Sequence, residues 1–397
     1  MSLKNKILHI AQKHTPTAIT IRQHLHQYPE LSYQEFETGK YIAQQLQSMG
    51  IEHSTGWANT GVVAIIQGKL QSKKITALRA DIDALPIHEV SEIPYKSKNE
   101  GVMHACGHDV HTASLLGAAK ILNDTRDEWG GKVKLIFQPA EEKLPGGASL
   151  LIKEGVLKNP APTNIIGQHV YPLLPAGIVG FKSGVYMASA DEIYVSVKGR
   201  GGHGAVPQNS IDPVVLTANI ITALQQIVSR FADPTMPSVL TFGKINSTGG
   251  STNIIPNEVK LEGTFRTLNE KWRKEAHRKM KKMAEGIAKS MGGTCEFNIV
   301  NGYPVLINDA ALTARAKKYA IEFAGKLNVT ELPLRMTAED FAYYSQQIPA
   351  CFYRLGTASA NGENSSGLHT NTFNIDENCM PLSIGLLAWM AVKELGN

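Results

Sequence analysis

Cysteine is scarce in this chain of 397 residues. The four cysteines, Cys106, Cys295, Cys351 and Cys379, lie far apart, and none belongs to a CxxC pair. Such spacing is poor material for a disulfide framework and fits a reducing compartment. We therefore expect a cytoplasmic protein in which three of the four thiols are packing residues.

Long apolar runs are also missing. No stretch of about eighteen consecutive apolar residues suggests a membrane span. The N-terminus MSLKNKILHIAQKH has neither an uninterrupted apolar core nor a small-residue cleavage site. The formal charge is only +5, and no Lys/Arg run is interleaved with aromatic residues. The sequence therefore predicts no export, no membrane partner and no nucleic-acid partner, while the mild positive charge suits anionic small molecules.

The first half of the chain carries an α/β pattern. With 43% hydrophobic and 19% charged residues, the chain is long enough for two domains. Helices are predicted at residues 16–29 and 34–49 and from about His111. Short β-branched or apolar runs predict strands at residues 61–67, 74–80, 132–138, 164–168 and 352–355.

Polar side chains follow three of these predicted strands directly. Asp81 and Asp83 follow the second, Glu141 and Glu142 the third, and His169 the fourth. Open α/β sheets place their ligand crevice at the carboxyl ends of the strands. We therefore expect these side chains to line one site.

Residues 182–297 change to the order strand, helix, strand, strand, helix, strand. This βαββαβ order is the ferredoxin-like arrangement and is complete in itself, so we interpret it as an inserted lid domain. The catalytic domain, an open mixed sheet, would then be discontinuous, formed by residues 1–181 and 298–397. In the first helix of the insert, one apolar stripe is expected to pack on the insert's own sheet. The stripe comprises Ile211, Val214, Val215, Ala218, Ile221, Leu224, Ile227 and Val228.

The densest group of potential metal ligands is the segment His104-Ala-Cys106-Gly-His108-Asp109-Val-His111. Gly107 permits an unusual turn, so Cys106 and His108 can point the same way. Thiolate and imidazole suit zinc, nickel, cobalt or manganese. The alternative is a polar helix start with one buried cysteine. In either case Asp109 and His111 would serve as capping or supporting groups.

The pair Glu141-Glu142 is a solvated acidic turn if it stands alone, but beside a metal its meaning changes. One carboxylate can then bind the metal while its neighbour reaches a metal-bound water, and hydrolysis needs such a base. Asp81 and Asp83 have two interpretations. Both can accept hydrogen bonds from a turn or a helix N-terminus. Alternatively, one of them fixes a ligand imidazole, and Asp83 is the candidate.

Three residues of the insert are candidates for substrate contact. His203 lies among glycines after a strand, where a histidine can approach a ligand closely and polarise a carbonyl oxygen. Asn253 in TNIIP and Arg266 in EGTFRT are suited to a carbonyl and a carboxylate. Ordinary surface polarity explains these two residues equally well.

The chain resembles the M20 metallopeptidase family. The match is closer to its subgroup of hippurate hydrolases, N-acyl-amino-acid amidohydrolases and plant auxin-conjugate hydrolases. It runs nearly end to end, through RQHLHQYPELSYQE, ALRADIDALPI, HACGHDVHTA, FQPAEE, QHVYP, GGHGAVP, NIIP, GTFRT, EDFA and LHTNTF. So many motifs in order make the resemblance specific.

The resemblance implies two divalent metals, Mn, Zn, Ni or Co, with the Cys106 sulfur in or near the bridging position. It implies that the ligands are Cys106, His108, Glu142, His169 and His369. Glu141 would be the general base and Asp83 would support the site. His203 would complete it in a homodimer or homotetramer assembled through the insert.

The expected function is hydrolysis of the amide bond of N-acyl amino acids by a metal-bound water that Glu141 activates. One alternative is a metallo-carboxypeptidase or dipeptidase acting on unblocked peptides. Another is a non-catalytic binding protein, which would have no need of Glu141.

Overall fold

The chain divides into two units in a computed structural model, which describes residues 1–359 and 366–396. One unit contains Met1–Gly184, Ile307–Pro333 and the described residues from 340 onward, and the other contains Val185–Leu306 and Leu334–Glu339. The expected insert ended at residue 297, whereas the strand there continues to Asn301. No sequence pattern indicated that Leu334–Glu339 belongs with the second unit.

The secondary structure begins with two helices, and strands and helices follow in a mixed order. In chain order the strands are β1 His53–Trp57, β2 Gly61–Gln67, β3 Leu70–Asp81, β4 Gly130–Gln138, β5 Asn164–Pro175, β6 Val179–Phe181, β7 Gly184–Met187, β8 Asp191–Lys198, β9 Gly202–His203, β10 Ser238–Ser247, β11 Ile254–Ile255, β12 Glu258–Thr267, β13 Thr294–Asn301, β14 Leu306–Asn308, β15 Val329–Glu331 and β16 Ala350–Ala358. The helices are α1 Leu3–Gln27, α2 Phe36–Ser48, α3 His108–Asp124, α4 Gly147–Glu154, α5 Pro213–Leu224, α6 Glu270–Ser290, α7 Ala310–Ala324, α8 Ala342–Ser345 and α9 Met380–Glu394.

The sheet of the first unit has the strand order β1-β2-β4-β3-β5-β16-β6-β15. The neighbours of β3 on both sides are parallel to it, and β16 is parallel to β5, whereas β2 pairs with β4 antiparallel. Strand β4 is buried at almost every residue, as expected for a strand covered on both faces. The prediction of an open mixed α/β sheet is confirmed.

Several element boundaries differ from their predictions in this unit, and the largest differences are in α1 and β5. Helix α1 begins at Leu3 rather than at residue 16 and continues through Pro16, with Ser2 accepting a hydrogen bond from Asn5 at its start. Strand β5 does not end at Gln168 but continues to Pro175. His169 therefore lies within a strand and not after one.

The second unit has an antiparallel sheet in the order β10-β12-β8-β13, with α5 and α6 packed on it. These elements follow each other along the chain in the order βαββαβ. Helix α6 buries Trp272, Ala276, Met280, Ala284 and Ala288, the four-residue spacing of an amphipathic helix. Alternate residues of β8, Ile193, Val195 and Val197, form the other side of this core.

Helix α5 buries a different face from the predicted one. Its buried residues include Leu216, Ile220 and Leu224, whereas Val214 and Val215 are 46% and 49% exposed. The predicted stripe was therefore wrong at Val214, Val215 and Ala218, which are exposed, whereas Ile211 packs against the core. The helix is apolar around most of its circumference, so periodicity alone cannot identify the face that meets the sheet.

The stretch Pro213–Phe231 is long and apolar enough to cross a membrane, judged by length and composition alone. One such helix is weak evidence for a membrane span, because the core helix of a soluble protein passes the same test. Here 28% of the stretch's 18-residue apolar window is buried. Its buried residues Leu216, Ile220, Leu224 and Ile227 belong to the core of the second unit.

Candidate metal centre

Five donor side chains from distant parts of the chain meet at one edge of the first unit's sheet. The Cys106 sulfur lies 3.5 Å from His169 Nε2 and 3.3 Å from His369 Nε2. Glu142 Oε1 lies 3.3 Å from His369 Nε2 and 3.9 Å from His108 Nε2. All five predicted metal ligands are therefore in one cluster.

The donors form two sets that share the cysteine. Cys106, His108 and His169 have their ligand atoms within 4.8 Å of one another, and so do Cys106, Glu142 and His369. His108 and Glu142 also form such a group with Glu141. A thiolate common to two sets is an arrangement suited to two metal positions.

The local backbone explains how Cys106 and His108 can face the same site. Gly107 precedes α3 with φ of 81°, a conformation that L side chains rarely adopt. A Cβ at Gly107 would also meet Val170 Cγ2 at 2.5 Å. The glycine therefore permits both the turn and the close approach of β5, which carries His169.

Hydrogen bonds turn the same nitrogen of two predicted ligand imidazoles, those of His108 and His169, toward the cluster. Nδ1 of His108 donates to the carbonyl and the carboxylate of Asp83, at 2.9 and 3.1 Å. Nδ1 of His169 donates to the carbonyl of Val170 at 2.8 Å. Both rings therefore present Nε2, the usual arrangement in metal sites where a second hydrogen bond fixes the ring.

The site leaves buried polar atoms without a hydrogen-bond partner. Within residues 1–359 and 366–396, neither His108 Nε2 nor Glu142 Oε1 has one. Buried polar groups are normally paired, because leaving them unpaired is costly. A borderline-soft set of one thiolate, three imidazoles and a carboxylate fits divalent Zn, Ni, Co or Mn.

Asp83 joins three parts of the site. Besides binding His108, its Oδ2 accepts a 2.6 Å hydrogen bond from the Ser32 hydroxyl and one of 3.0 Å from the backbone N–H of Glu142. Burial would raise the pKa of Asp83, but the hydrogen bond and charge of His108 together with the hydrogen bonds from Ser32 and the Glu142 N–H outweigh it, so the pKa lies below its usual value. The carboxylate contacts the imidazole of His108, a predicted ligand.

Asp81 and His111 form a second supporting pair. His111 Nδ1 donates to Asp81 Oδ1 at 2.5 Å, and His111 Nε2 accepts the backbone N–H of Val170 at 2.9 Å. Arg79 also contacts Asp81, at 2.6 Å. Because Val170 follows His169, the Asp81–His111 pair fixes the backbone beside His169, a predicted ligand.

Glu141 lies buried beside the donors. Its Oε1 accepts the backbone N–H of Asp340 at 3.3 Å. Asp340 in turn accepts hydrogen bonds from Arg79, Gln138 and the Ala148 N–H, and so connects β3, β4 and α4. Glu141 and Glu142 thus belong to a short segment with a well-defined backbone.

The acids around the donors change their affinity for protons. Burial, with the charges of Glu142 and Glu141, raises the pKa of the Cys106 thiol well above its usual value. Burial would lower the pKa of His108, but Asp81 and Asp83 raise it to about 10. Burial and the Arg354 guanidinium lower the pKa of His169. A divalent cation at these donors would replace protons on Cys106 and His108.

The three candidate residues of the insert all lie in the second unit. His203 and Asn253 come together, because β9 pairs with β11 and the Gly204 N–H donates to the Asn253 carbonyl at 2.8 Å. Both side chains are exposed. Arg266, on β12, donates to the Met336 carbonyl at 3.3 Å, and burial lowers its pKa.

Sequence reasoning gave no role to Ser32, Glu35 and Asp340, although each lies in a motif of the resemblance. Ser32 and Glu35 belong to ELSYQE and Asp340 to EDFA. All three are buried polar residues. The available signal was a serine and acids inside otherwise apolar motifs, without any indication of their partners.

Known proteins resemble this chain in sequence and structure. A family model described as Peptidase family M20/M25/M40 matches residues 77–391. N-acetyl-L-cysteine deacetylase of Bacillus subtilis is 43% identical over 360 residues, 90% of this chain and 83% of that protein. Thermostable carboxypeptidase 2 of Saccharolobus solfataricus is 36% identical over 396 residues, 99% of each. A solved dinuclear metal-binding M20 peptidase of Bacillus subtilis has a TM-score of 0.82 at 35% identity, covering 97% of this chain and 99% of that chain.

Proposed function

Because the chain belongs to Peptidase family M20/M25/M40, in its amidohydrolase subgroup, we propose that it hydrolyses the amide bond of N-acyl amino acids. N-acetyl and N-benzoyl amino acids are the substrates to test first, and the products are a carboxylic acid and a free amino acid. The observation that carries the proposal is the cluster of five donors with a buried carboxylate, Glu141, beside it.

In this proposal the cluster would hold two divalent cations, and Cys106 would be one of their ligands. The remaining ligands are His108, Glu142, His169 and His369. When bound, these cations would polarise the scissile carbonyl and make water more acidic. Glu141 takes a proton from the attacking water and passes it to the departing nitrogen. Asp83 holds the His108 ring while this happens.

The two neighbouring glutamates provide a matched test. Glu141→Gln should abolish turnover of N-acetyl and N-benzoyl amino acids while metal content, measured by elemental analysis, stays near the wild-type value. Glu142→Gln should instead lower the metal content. Full activity of Glu141→Gln with Mn²⁺, Zn²⁺, Co²⁺ or Ni²⁺ added would disprove the assigned role.

A metallo-carboxypeptidase is the second candidate, supported by the similarity to thermostable carboxypeptidase 2 over 99% of both chains. The attacked amide is the same, so the metal cluster does not distinguish the two. Comparing kcat/KM for N-acetyl, N-benzoyl and unblocked dipeptide substrates does. Faster hydrolysis of the unblocked dipeptides would favour the carboxypeptidase.

For the second unit we propose roles that kinetics can test. His203 would stabilise the oxyanion, and Asn253 or Arg266 would bind the substrate's carbonyl or carboxylate. His203→Ala should therefore lower kcat with metal content unchanged. Arg266→Lys should mainly raise KM, since a lysine cannot replace the bidentate contact of arginine.

We also propose that the protein self-associates through the second unit. The exposed apolar residues Val214, Val215 and Phe231 of the α5 region support this, because exposed apolar surface often marks an interface. A second copy of the same helix face would cover it. Light scattering coupled to size exclusion gives the mass that tests this proposal.

A further inference from the structure

We propose that Glu35 is a positioning residue that fixes the backbone of the segment Ala140-Glu141-Glu142, and through it the base and one metal ligand. The donor set and the role of Glu141 come from the proposed function. The contact between Glu35 and this segment does not depend on that function. Glu35 is 0% exposed and touches none of the five donors through a hydrogen bond in the described part of the chain.

The carboxylate of Glu35 bridges two segments that are distant in sequence. Its Oε1 accepts the backbone N–H of Ala140 at 2.8 Å, and its Oε2 accepts the Thr60 hydroxyl at 2.7 Å. Glu35 occupies the N-cap position of α2, yet its side chain makes no capping hydrogen bond. Stabilisation of its own helix therefore does not explain this acid.

Ala140 has an unfavourable backbone conformation. Its φ is 52°, in the left-handed region that non-glycine residues rarely occupy. Both of its backbone polar groups are bound, because the N–H donates to Glu35 and the carbonyl accepts the N–H of Gly147 at 2.9 Å. Such a conformation persists only where its surroundings fix it. The Glu35 carboxylate is one of the two groups that do so.

Two further hydrogen bonds fix the C-terminal end of the same short segment. The N–H of Glu142 donates to Asp83 Oδ2 at 3.0 Å, and the Tyr33 hydroxyl donates to the carbonyl of Lys143 at 3.2 Å. Glu141 lies between the two carboxylate contacts. If Ala140 relaxes to an ordinary φ, the peptide that precedes Glu141 rotates, and both glutamate side chains change direction.

Four variants test the inference through Co²⁺ affinity, measured by chelator competition without substrate, and through kcat at saturating metal. Glu35→Ala should lower affinity by about 10-fold or more, the size typical of lost supporting contacts. Glu35→Gln keeps the shape and can still accept the Ala140 N–H, so it should stay near wild type. Glu35→Asp keeps the charge, but its shorter side chain moves the oxygens away from the Ala140 N–H. The Co²⁺ affinity of Glu35→Asp should therefore be well below that of Glu35→Gln.

Glu154→Ala is the matched control. The Glu154 carboxylate accepts the N–H of Ala58, another left-handed alanine with φ of 46°, and Ala58 belongs to no ligand segment. This variant should leave Co²⁺ affinity and kcat unchanged. Amide hydrogen exchange at Ala140 should become faster in Glu35→Ala and Glu35→Asp but not in the control.

Three results would overturn the inference. One is wild-type Co²⁺ affinity in Glu35→Ala or Glu35→Asp. Another is a higher Co²⁺ affinity in Glu35→Asp than in Glu35→Gln, which would mean that the charge of Glu35 is important and its hydrogen bond to Ala140 is not. The third is an equal loss in Glu154→Ala. If Glu35→Ala does not fold, the Gln and Asp variants decide the question. Because chelator competition needs no turnover, failure to find an N-acyl amino acid substrate would not affect this result.

Discussion

Each unit has a cluster in which a buried acid contacts a histidine, but the polar atoms of the two clusters are paired to different extents. In the second unit, Asp191 is bound by the Arg273 guanidinium, by His277 Nε2 at 2.7 Å and by the N–H of Gly302. In the first unit, His108 Nδ1 donates to Asp83, while its Nε2 has no hydrogen-bond partner among the described residues. A cluster with a purely structural role needs hydrogen-bond partners for all its buried polar atoms, whereas buried donors without such partners indicate a ligand.

The largest effect should come from removing a donor of the first cluster. His108→Ala removes a ligand and should lower Co²⁺ affinity by more than about 100-fold, beyond the usual effect of a supporting contact. Chelator competition measures this change. Asp191→Asn, the control from the paired cluster, should bind Co²⁺ as the wild type does. Nearly unchanged affinity in His108→Ala would end the distinction between the clusters.

Asp191→Asn should instead lower stability. It removes the fully buried carboxylate from the Arg273 guanidinium and leaves the partly exposed Glu270, 3.1 Å from Arg273, as the remaining acid beside it. Removing one partner of a buried pair costs about 3–5 kcal/mol. Urea unfolding followed by fluorescence gives the free energy. Glu296→Gln, which removes an exposed partner of Lys198 on the same sheet, should cost at most about 1 kcal/mol. Equal losses in the two variants would contradict the structural role of Asp191.

A third prediction concerns the support of the donors. Asp83→Asn weakens the contact to His108 and places an amide against the Glu142 N–H, so Co²⁺ affinity should fall by about 10- to 100-fold. The loss should be smaller than that of His108→Ala, because all five donors remain. A larger loss in Asp83→Asn would mean that this carboxylate is itself a ligand.

The sequence predicted the donors better than their supports, and the reason is the distance of each contact along the chain. Cys106 and His108 lie in one short motif, so local chemistry was enough to select them. Ser32 and Glu35 contact Asp83 and Ala140, which are 51 and 105 residues away. No local pattern indicates such partners. His169 and His369 were selected mainly through the family match.

The fold shows the same limit. Strand β2 has the predicted bounds, Gly61–Gln67, because a short apolar run between turn residues is a local signal. The face of α5 was wrong, because a helix that is apolar on several sides carries no local signal of which side is buried. The sheet of the second unit decides this through contacts with β8 and β12.

Two buried acids, Glu35 of the first unit and Asp191 of the second, should also respond to pH in opposite directions. Burial and the charge of Asp83 raise the pKa of Glu35 to about 7, so its contribution to stability is present below its ordinary value of 4.5 and is lost as the pH rises to about 7. Burial would raise the pKa of Asp191, but Arg273 and His277 hold it below 3.8. Its contribution is present above 3.8 and is lost on further acidification.

Thermal unfolding between pH 3 and pH 8 tests this contrast. Glu35→Gln should remove the loss of Tm between about pH 4.5 and 7, and Asp191→Asn should remove part of the loss below about pH 4. Each variant should leave the slope in the other range unchanged. The same change of slope in both variants would show that the two groups do not titrate separately.

The smallest effect on stability is expected on the exposed face of α5. Val215→Glu lies on a surface that is free within the monomer, so it should change the unfolding free energy by no more than about 0.5 kcal/mol. Ile220→Ala, on the buried face of the same helix, should cost about 2–5 kcal/mol. Light scattering should nevertheless detect Val215→Glu as a lower mass, since a charge placed in an apolar contact between copies separates them. An unchanged mass would mean that this face is not covered by a second copy.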